Sequence, residues 1–249
     1  MKTTGNTILI TGGTSGIGHG LALRLHEAGN TVIVAGRRKE LLDQITAEHP
    51  GIGSFVLDVT DPASIARAAD TLAVSHPRLN VLVNNAGIML AENLLDPASL
   101  PIAEDHVTVN LLGTIRMTYA FLPRLVAQAD GVVMTITSAL AFVPLPITPT
   151  YNATKAALHS FSESLRVQVA GTPVQVIEVA PPGVQTTLMG QENSDRAMPL
   201  DEFLTETMTL LATRPDAKEI IVERAEFVRR AEANGAYDQA LAMLSGVGA

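Results

Sequence analysis

A tyrosine and a lysine, Tyr151 and Lys155, lie four residues apart in a stretch with helical character. Side chains with this spacing project from one face of a helix, so both can reach the same point. An ammonium near a phenol favours the phenolate, which predicts a lowered pKa for Tyr151 and a role as general acid or base. The spacing also occurs on solvated helix faces, so the other signals in the chain decide its meaning.

A glycine-rich segment directly follows the first strand-like run and begins an amphipathic stretch. Missing side chains allow a pyrophosphate to approach the backbone, and a helix N-terminus offers unpaired N–H groups and a positive dipole end. The alternative is a tight strand-to-helix turn without a ligand. We expect a bound dinucleotide, contacted by Gly12, Thr14, Ser15, Gly16, Ile17 and Gly18.

The end of the second strand indicates which dinucleotide is preferred. An acid at this position accepts hydrogen bonds from the adenosine ribose, but here Gly36 is followed by Arg37 and Arg38. A guanidinium can clamp a 2′-phosphate with charge-assisted bonds, which favours NADP(H), with NAD(H) not excluded. After the third strand, Asp58 and Val59 are further candidates for cofactor binding; Asp58 either meets the adenine amino group or caps the turn before Thr60.

Composition restricts the class of protein. The length of 249 residues fits one domain, 1–249, and the net charge of −8 argues against nucleic acid as a partner. The chain has no cysteine, and its histidines lack metal-site spacing, so we expect neither a disulfide nor a metal. No apolar run approaches the length of a membrane span, which makes a cytoplasmic protein the default expectation.

Short β-branched runs alternate with amphipathic stretches, as in a sheet of buried parallel strands. The pattern predicts an α/β fold with a Rossmann-type, doubly wound parallel sheet in three α/β/α layers. The predicted strands are Thr7–Ile10, Thr31–Val34, Ser54–Leu57, Asn80–Val83, Val132–Ile136 and Val174–Val179. Residues 187–203 are expected to form a substrate lid, and 204–249 a mostly helical tail without a convincing strand.

Taken together, the motifs resemble those of the short-chain dehydrogenase/reductase family over about residues 5 to 190. The matching positions, in the family's order and spacing, are Thr11-Gly12-x-x-x-Gly16-x-Gly18, Asn84-Asn85-Ala86-Gly87, Asn110, Ser138 and Tyr151-x-x-x-Lys155. The resemblance implies that an alcohol and a carbonyl compound are interconverted by hydride transfer to or from a nicotinamide.

The same resemblance implies a role for each motif residue. Tyr151 would exchange the proton with the substrate oxygen, Ser138 would hydrogen-bond that oxygen, and Lys155 would hold the nicotinamide ribose. Asn110 would hold a water that links Lys155 to solvent; the alternative is a helix asparagine that is merely hydrogen-bonded in place. The remaining expected cofactor contacts are Asn85, Ala86, Gly87, Pro181, Val184 and Thr186.

The sequence departs from the family pattern at two places. Pro182 stands where the family usually has glycine, which stiffens the backbone near the nicotinamide. The family's seventh strand, which helps to build a tetramer, is not evident because Lys218–Ala233 looks helical; we therefore expect a homodimer, with a tetramer still possible.

The apolar loop 139–150 is expected to form a wall of the substrate pocket and so favours an apolar ketone or alcohol.

These observations favour an NADP(H)-dependent oxidoreductase with a small carbonyl or alcohol substrate. Two alternatives stay open: an NAD(H)-dependent alcohol dehydrogenase of the same family, and a dinucleotide-binding sensor without turnover. His19, His106 and His159 are expected to be surface or packing residues, since Tyr151 is available for acid–base chemistry.

Overall fold

The computed structural model describes residues 1–246. In this part of the chain, seven parallel strands form one sheet in the order β3-β2-β1-β4-β5-β6-β7. Their bounds are β1 Thr7–Thr11, β2 Thr31–Gly36, β3 Gly53–Val56, β4 Val81–Asn84, β5 Val132–Ile136, β6 Gln175–Val179 and β7 Glu219–Ile220. The sheet order changes direction at β1, so a crevice forms beyond the carboxyl ends of β1 and β4.

Helices connect the strands and cover both faces of the sheet. They are α1 Gly16–Glu27, α2 Lys39–Glu48, α3 Pro62–Ser75, α4 Leu100–His106, α5 Gly113–Val126, α6 Pro149–Gln168, α7 Leu200–Thr213, α8 Glu223–Arg229 and α9 Tyr237–Ser245. A π-helical turn, Val107–Leu112, joins α4 to α5. Within residues 1–246, no helix combines the length and the apolar character that crossing a bilayer requires.

The core has two parts because successive strand residues point to opposite faces of the sheet. In β1, Ile8 and Ile10 belong to one buried cluster, which includes residues of α1, α2, α7 and α8. Leu9, between them, belongs to the other cluster, which includes residues of α3, α5 and α6. The predicted three-layer, doubly wound α/β fold is therefore confirmed.

The strand predictions agree with the structure to within one or two residues. The range of β5 is as predicted, β1 and β2 each continue slightly further, and β3, β4 and β6 are shifted or shortened by one residue. Such differences are expected because the ends of an element depend on hydrogen-bond pairing, which a sequence pattern does not show.

The prediction for the tail was wrong in one respect. The segment 204–249 is mostly helical as far as it is described, but β7 (Glu219–Ile220) pairs in parallel with β6. The strand was missed because two residues are too short for a periodic signal, and helix α8 follows almost at once. The argument for a dimer that rested on a missing seventh strand therefore fails, and the assembly stays a prediction.

Candidate active site

A cavity of about 450 Å³ lies at the carboxyl ends of the strands. It brings together the side chains predicted to do chemistry, Ser138, Tyr151 and Lys155, and most of the predicted dinucleotide contacts. The latter are Gly12, Thr14, Ser15, Gly16, Ile17, Arg37, Arg38, Asp58, Val59, Asn85, Ala86, Gly87, Pro181, Val184 and Thr186. Two predicted site residues, Gly18 and Asn110, lie outside this lining.

Other residues of the lining were not predicted as cofactor contacts or catalytic residues. Most of them end a strand, directly follow one, or belong to the segment after β6, and that position is the signal that could have identified them. They are Thr11, Ala35, Gly36, Leu57, Thr60, Ile88, Met89, Val109, Ile136, Thr137, Pro182, Thr187, Leu188 and Gln191.

The glycine-rich turn serves packing as well as access to its backbone. Asn85 Nδ2 donates hydrogen bonds to the carbonyl oxygens of Thr11 and Gly12, at 3.0 and 3.1 Å. A Cβ on Gly18 would lie 2.3 Å from Asn85 Nδ2, so this glycine makes room for the asparagine. Gly16 adopts a φ of +55° beside Thr186, a conformation that a side chain would disfavour.

Thr11 joins this turn to the segment after β4. Its Oγ1 accepts hydrogen bonds from the backbone N–H groups of Asn85 and Ala86, at 3.0 and 3.1 Å. A polar side chain at the end of β1 thereby satisfies two donors that follow β4, and it fixes the two segments against each other.

Arg38 extends over the glycine-rich turn. Its guanidinium donates to Thr14 Oγ1 at 3.0 Å and to Ser15 Oγ at 3.3 Å, and all three side chains are at the surface. Ser15 itself makes no side-chain cap to α1, and the first turn of this helix contains no acid. The positive end of the helix dipole and the arginines therefore make this end of the cavity suitable for an anion.

Asp58 behaves as the turn cap that was one of its two expected roles. Its Oδ1 accepts from the backbone N–H of Thr60 at 2.8 Å and from Thr60 Oγ1 at 2.7 Å. Burial raises the pKa of Asp58, but these hydrogen bonds and the charge of Arg37 together bring it below its ordinary value. Arg37 is thus close enough to act on this carboxylate.

Tyr151 and Lys155 lie on α6 with their side chains turned to the sheet, and they are only 6% and 5% exposed. Lys155 Nζ lies 5.5 Å from the centre of the Tyr151 ring and donates to the carbonyl oxygen of Ile136 at 2.8 Å. Ser138 follows β5 and caps a short 3₁₀ turn, where its Oγ accepts from Leu140 N–H at 3.1 Å. The three side chains share one wall of the cavity.

The charge states of this group follow from burial. Burial raises the pKa of Tyr151 to about 12, against the opposing effect of its hydrogen bond with Ser138. Burial lowers the pKa of Lys155 to about 8, although the charge of Glu178 raises it. The chain alone thus departs from the expected lowering at Tyr151, because removal of the phenol from water outweighs its hydrogen bond with Ser138.

Asn110 lies in the π-helical turn and is completely buried. Its Oδ1 accepts from Ile88 N–H at 2.8 Å, and its Nδ2 donates to Ile88 O at 2.9 Å. A Cβ on Gly87 would lie 3.2 Å from Asn110 Oδ1. The side-chain amide therefore holds the backbone that follows Gly87, which is the alternative role considered for it.

His106 and Glu92 form a buried contact behind Tyr151. The imidazole is 6.1 Å from the Tyr151 ring, centre to centre, in an edge-on arrangement. Leu90 N–H donates to His106 Nε2 at 3.0 Å, so Nδ1 carries the proton in the neutral ring. His106 Nδ1 lies 3.1 Å from Glu92 Oε1, but the two atoms are poorly aligned for a hydrogen bond. Burial lowers the pKa of His106, against the opposing charge of Glu92. The prediction that His106 is a packing residue agrees with this position.

The loop 139–150 differs from its predicted role. No residue of this stretch, which is described throughout, lines the cavity. Val143 belongs to the core, Phe142 packs against it, and Ile147 is about half exposed. The apolar character of the loop is used for packing, so it no longer supports an apolar substrate.

The segment after β6 contributes the remaining wall. Pro182 lines the cavity, and the carbonyl oxygen of Pro181 accepts from Ala139 N–H at 2.9 Å. Within the predicted lid, Leu188–Gly190 forms a 3₁₀ turn, and Val184 pairs with Met198 in a parallel bridge. Helix α7 begins at Leu200, before the predicted end of the lid.

Comparisons with known proteins agree with this geometry. A family model described as short chain dehydrogenase matches residues 6–197. The chain is 42% identical over 197 residues to an uncharacterized oxidoreductase, DltE, of Bacillus subtilis (strain 168), covering 79% of this chain and 78% of the relative. It is 34% identical over 186 residues to an NADPH-dependent 1-acyldihydroxyacetone phosphate reductase of Schizosaccharomyces pombe, covering 74% and 62% respectively.

The fold also matches a solved structure over nearly its whole length. A short chain dehydrogenase of Burkholderia cenocepacia J2315, in complex with NADP, superposes with a TM-score of 0.84 at 28% sequence identity. The match covers 98% of both chains. The likeness therefore extends beyond the family model into the tail, where β7 and the last helices lie.

Proposed function

This chain belongs to the short-chain dehydrogenase/reductase family of oxidoreductases, and from that premise we propose that it uses NADP(H) to interconvert a ketone or aldehyde with the alcohol. The observation that carries the proposal is one cavity lined by Tyr151, Lys155 and Ser138 and by the glycine-rich turn with Arg37 and Arg38. A binding site for a phosphorylated dinucleotide and an acid–base group therefore share one space.

The residues present fit a dinucleotide phosphate. Gly12 and Gly16 have φ values of +64° and +55°, a conformation that residues with a side chain rarely adopt, so the shape of the turn depends on glycine. Gly36 stands where an acid would repel a 2′-phosphate, and Arg38 reaches Thr14 and Ser15 from the same side of the cavity. The NADP complex of the Burkholderia protein and the NADPH dependence of the yeast reductase support this preference.

In the proposed reaction the nicotinamide, when bound, supplies or accepts the hydride. Tyr151 holds a proton strongly and gives it to the carbonyl oxygen as negative charge develops there. Ser138 can donate a hydrogen bond to the same oxygen, and Lys155 contributes a buried positive charge beside the phenol. Asn110 contributes by holding the backbone after Gly87 with its side-chain amide.

The proposed substrate is a small carbonyl compound or alcohol with apolar substituents. Support for this class comes from the apolar part of the cavity lining and no longer from the loop 139–150. The residues concerned are Ile88, Met89, Val109 and Leu188. Such a surface removes apolar groups of a ligand from water but makes few directed contacts.

The first experiment measures binding of NADPH and NADH by nicotinamide fluorescence at fixed ionic strength. We expect tighter NADPH binding, and a loss of about tenfold in NADPH affinity, but not in NADH affinity, for Arg37→Ala or Arg38→Ala. Arg78→Ala is the matched control, because this exposed arginine precedes the amino end of β4, whereas the cavity lies at the carboxyl ends of the strands. Equal affinity for both dinucleotides would favour the NAD(H)-dependent alternative.

Turnover is tested separately with NADPH and a panel of benzaldehyde, acetophenone and straight-chain aldehydes. Oxidation of NADPH that depends on the carbonyl compound supports the oxidoreductase. The alternative of a dinucleotide-binding sensor would be favoured by a protein that binds the cofactor without turnover. Such a protein would bind NADPH but reduce no carbonyl compound of the panel, and bind NADP⁺ but oxidise none of the corresponding alcohols.

A further inference from the structure

The helix that carries Tyr151 and Lys155 has a third polar residue on the same face. His159 follows Lys155 at the next turn, so the three side chains repeat every four residues along α6. Tyr151 and Lys155 are buried, whereas the His159 side chain is 20% exposed. The row therefore runs from the cavity towards the surface.

His159 faces an acid in the interior of the sheet. Glu178 lies in β6, aligned with Thr135 of β5 and Glu219 of β7, and its side chain is completely buried. Its Oε1 accepts from Thr137 Oγ1 at 2.7 Å, and its Oε2 lies 2.8 Å from His159 Nδ1. Burial of a carboxylate is costly unless it is paired, so these contacts are part of what keeps the acid in place.

The acid is connected to Lys155 through the end of β5. Lys155 Nζ donates to the carbonyl oxygen of Ile136, and the next residue, Thr137, bonds Glu178. The negative charge of Glu178 acts on Lys155 and opposes the effect of burial on the lysine. Thr137 also lines the cavity, so this group adjoins the reaction site.

Other charged groups surround the pair. Arg229 of α8 binds both carboxylate oxygens of Glu219 at 2.8 and 3.0 Å, and Glu219 Oε1 is 4.0 Å from His159 Nδ1. From α6, Glu163 and Arg166 add charges that act on His159 and Glu219 respectively. The hydrogen bond with Glu178 raises the pKa of His159, and this effect is larger than the lowering caused by burial. His159 therefore keeps its proton to higher pH.

A metal ion is a weaker explanation for the same cluster. The potential ligand atoms of His159, Glu178 and Glu219 lie within 4.8 Å of one another. However, the Arg229 guanidinium already occupies both oxygens of Glu219, and Thr137 occupies one oxygen of Glu178. A cation would have to displace these donors, so the cluster is better described as a charge network.

We propose that Glu178 is a positioning residue that holds Lys155 in its ammonium form, with His159 setting how much of the carboxylate's charge reaches the lysine. This role rests on the proposed oxidoreductase function, in which the positive charge beside Tyr151 is needed. His159 lies between Glu178 and the solvent, so it relays the external pH to the buried acid.

The test observes Lys155 directly, without turnover. The lysines of the chain are Lys2, Lys39, Lys155 and Lys218, so ¹³C-labelled lysine gives a simple spectrum in which Lys155→Met identifies the Lys155 signal. We expect Glu178→Gln, which keeps the shape of the side chain, to lower the titration midpoint of Lys155 by about one pH unit. Glu48→Gln is the matched control, since it removes an exposed acid of α2, a helix that contributes no group to this network.

His159→Gln gives an independent test with the opposite sign. The proposal requires that His159 carries its proton while Lys155 titrates, so its replacement exposes Lys155 to the full charge of Glu178 and the Lys155 midpoint rises. This partly exposed position tolerates substitution better than Glu178, and the variant decides the question if Glu178→Gln does not fold. A midpoint that is unchanged or lower in His159→Gln, or that moves equally in Glu178→Gln and Glu48→Gln, would refute the proposal.

Turnover provides the second readout. With NADPH and benzaldehyde, we expect the alkaline limb of kcat/KM to move to lower pH in Glu178→Gln by the same amount as the Lys155 midpoint. A protein that reduces no carbonyl compound would disprove the proposed function, whereas the lysine titration would still decide the role of Glu178. If the Lys155 midpoint shifts but the alkaline limb of kcat/KM does not, the charge of Glu178 at Lys155 does not govern the reaction.

Discussion

Tyr151 is set up to hold a proton rather than to lose one. Burial raises its pKa to about 12, and the nearby Lys155 ammonium is itself destabilised by burial, with a pKa of about 8. At neutral pH Tyr151 is therefore in the protonated form, which is the form that can donate a proton to an oxygen on which charge develops. Under the proposed function, Tyr151 thus begins the reduction step with the proton that it is to donate.

Tyr151→Phe tests this assignment by removing one hydroxyl. We expect kcat to fall by at least about a hundredfold, because the proton donor is lost, while the NADPH dissociation constant stays within about twofold. Steady-state turnover and fluorescence titration measure the two quantities.

Tyr119→Phe is the matched control, since this tyrosine is 74% exposed on α5. It should leave both quantities unchanged. A Tyr151→Phe enzyme that retains the wild-type kcat would show that another group transfers the proton.

Among the elements, the start of α6 has the most direct influence on where Tyr151 lies. Thr150, the preceding residue, donates its N–H to Glu92 Oε1 at 3.1 Å and its hydroxyl to Glu92 Oε2 at 2.7 Å. Glu92 N–H in turn donates to Ile147 O at 2.9 Å. The segment after β4, which also contributes Ile88 and Met89 to the cavity, is thereby fixed to the helix that carries the tyrosine.

Glu92→Gln should loosen this connection. The amide replaces one acceptor oxygen by a donor, which leaves a partly buried donor of Thr150 without its acceptor and lowers the free energy of unfolding by about 1–3 kcal/mol. Urea unfolding measures that loss, and hydrogen exchange should show reduced protection of the Thr150 and Tyr151 amides.

Glu104→Gln is the control, because it makes the same change at an exposed acid of α4. If Glu92→Gln and Glu104→Gln show the same free energy of unfolding and the same hydrogen exchange, the bonds between Glu92 and Thr150 do not fix the start of α6.

The same elements show how far sequence reasoning extends. The glycine-rich turn, Ser138 and the Tyr151–Lys155 pair were predicted to share a site because each has a local signature or follows a strand. Glu92, Thr137 and Glu178 lack such a signature. Their partners, such as His159 for Glu178, are distant in the chain, and the pairing exists only once the sheet and α6 have packed.

The same dependence on distant packing explains the two wrong predictions, which concern β7 and the loop 139–150. The strand β7 consists of two residues, and its pairing with β6 depends on where the tail returns to the sheet. The loop 139–150 is apolar for either of two reasons, a ligand wall or a core contact, and composition does not distinguish them. Phe142 is an example of the packing role, because its ring lies under Arg229, with 4.1 Å between the guanidinium carbon and the ring centre.

At the scale of the whole molecule, the sheet order determines that the cavity and the buried charges occur together. The order turns at β1, so the connections diverge and leave a crevice beyond β1 and β4, while β5 and β6 continue behind it. Polar residues at the ends of these central strands are therefore enclosed on both sides. Lys155 and Glu178 are buried because the layers that form the crevice also cover them.

This enclosure makes Lys155 costly for the fold. The folded pKa of about 8 lies below the ordinary value of 10.5, so the unfolded chain binds the lysine proton more tightly. Between these two values the unfolded state carries more protons, and the free energy of unfolding rises with pH. Below about pH 8 the whole penalty is present, and above about pH 10.5 it has disappeared.

Lys155→Met should therefore abolish turnover yet stabilise the protein. At about pH 7 we expect a gain of about 1–3 kcal/mol, limited by the loss of the lysine's attraction to Glu178, and the gain should shrink towards pH 9.5 as wild-type Lys155 loses its proton. Denaturant unfolding at both pH values measures it, with the exposed Lys218→Met as control. A variant that is less stable than wild type at pH 7, or a gain independent of pH, would contradict a buried ammonium, because only a group that titrates inside the fold links stability to pH in this direction.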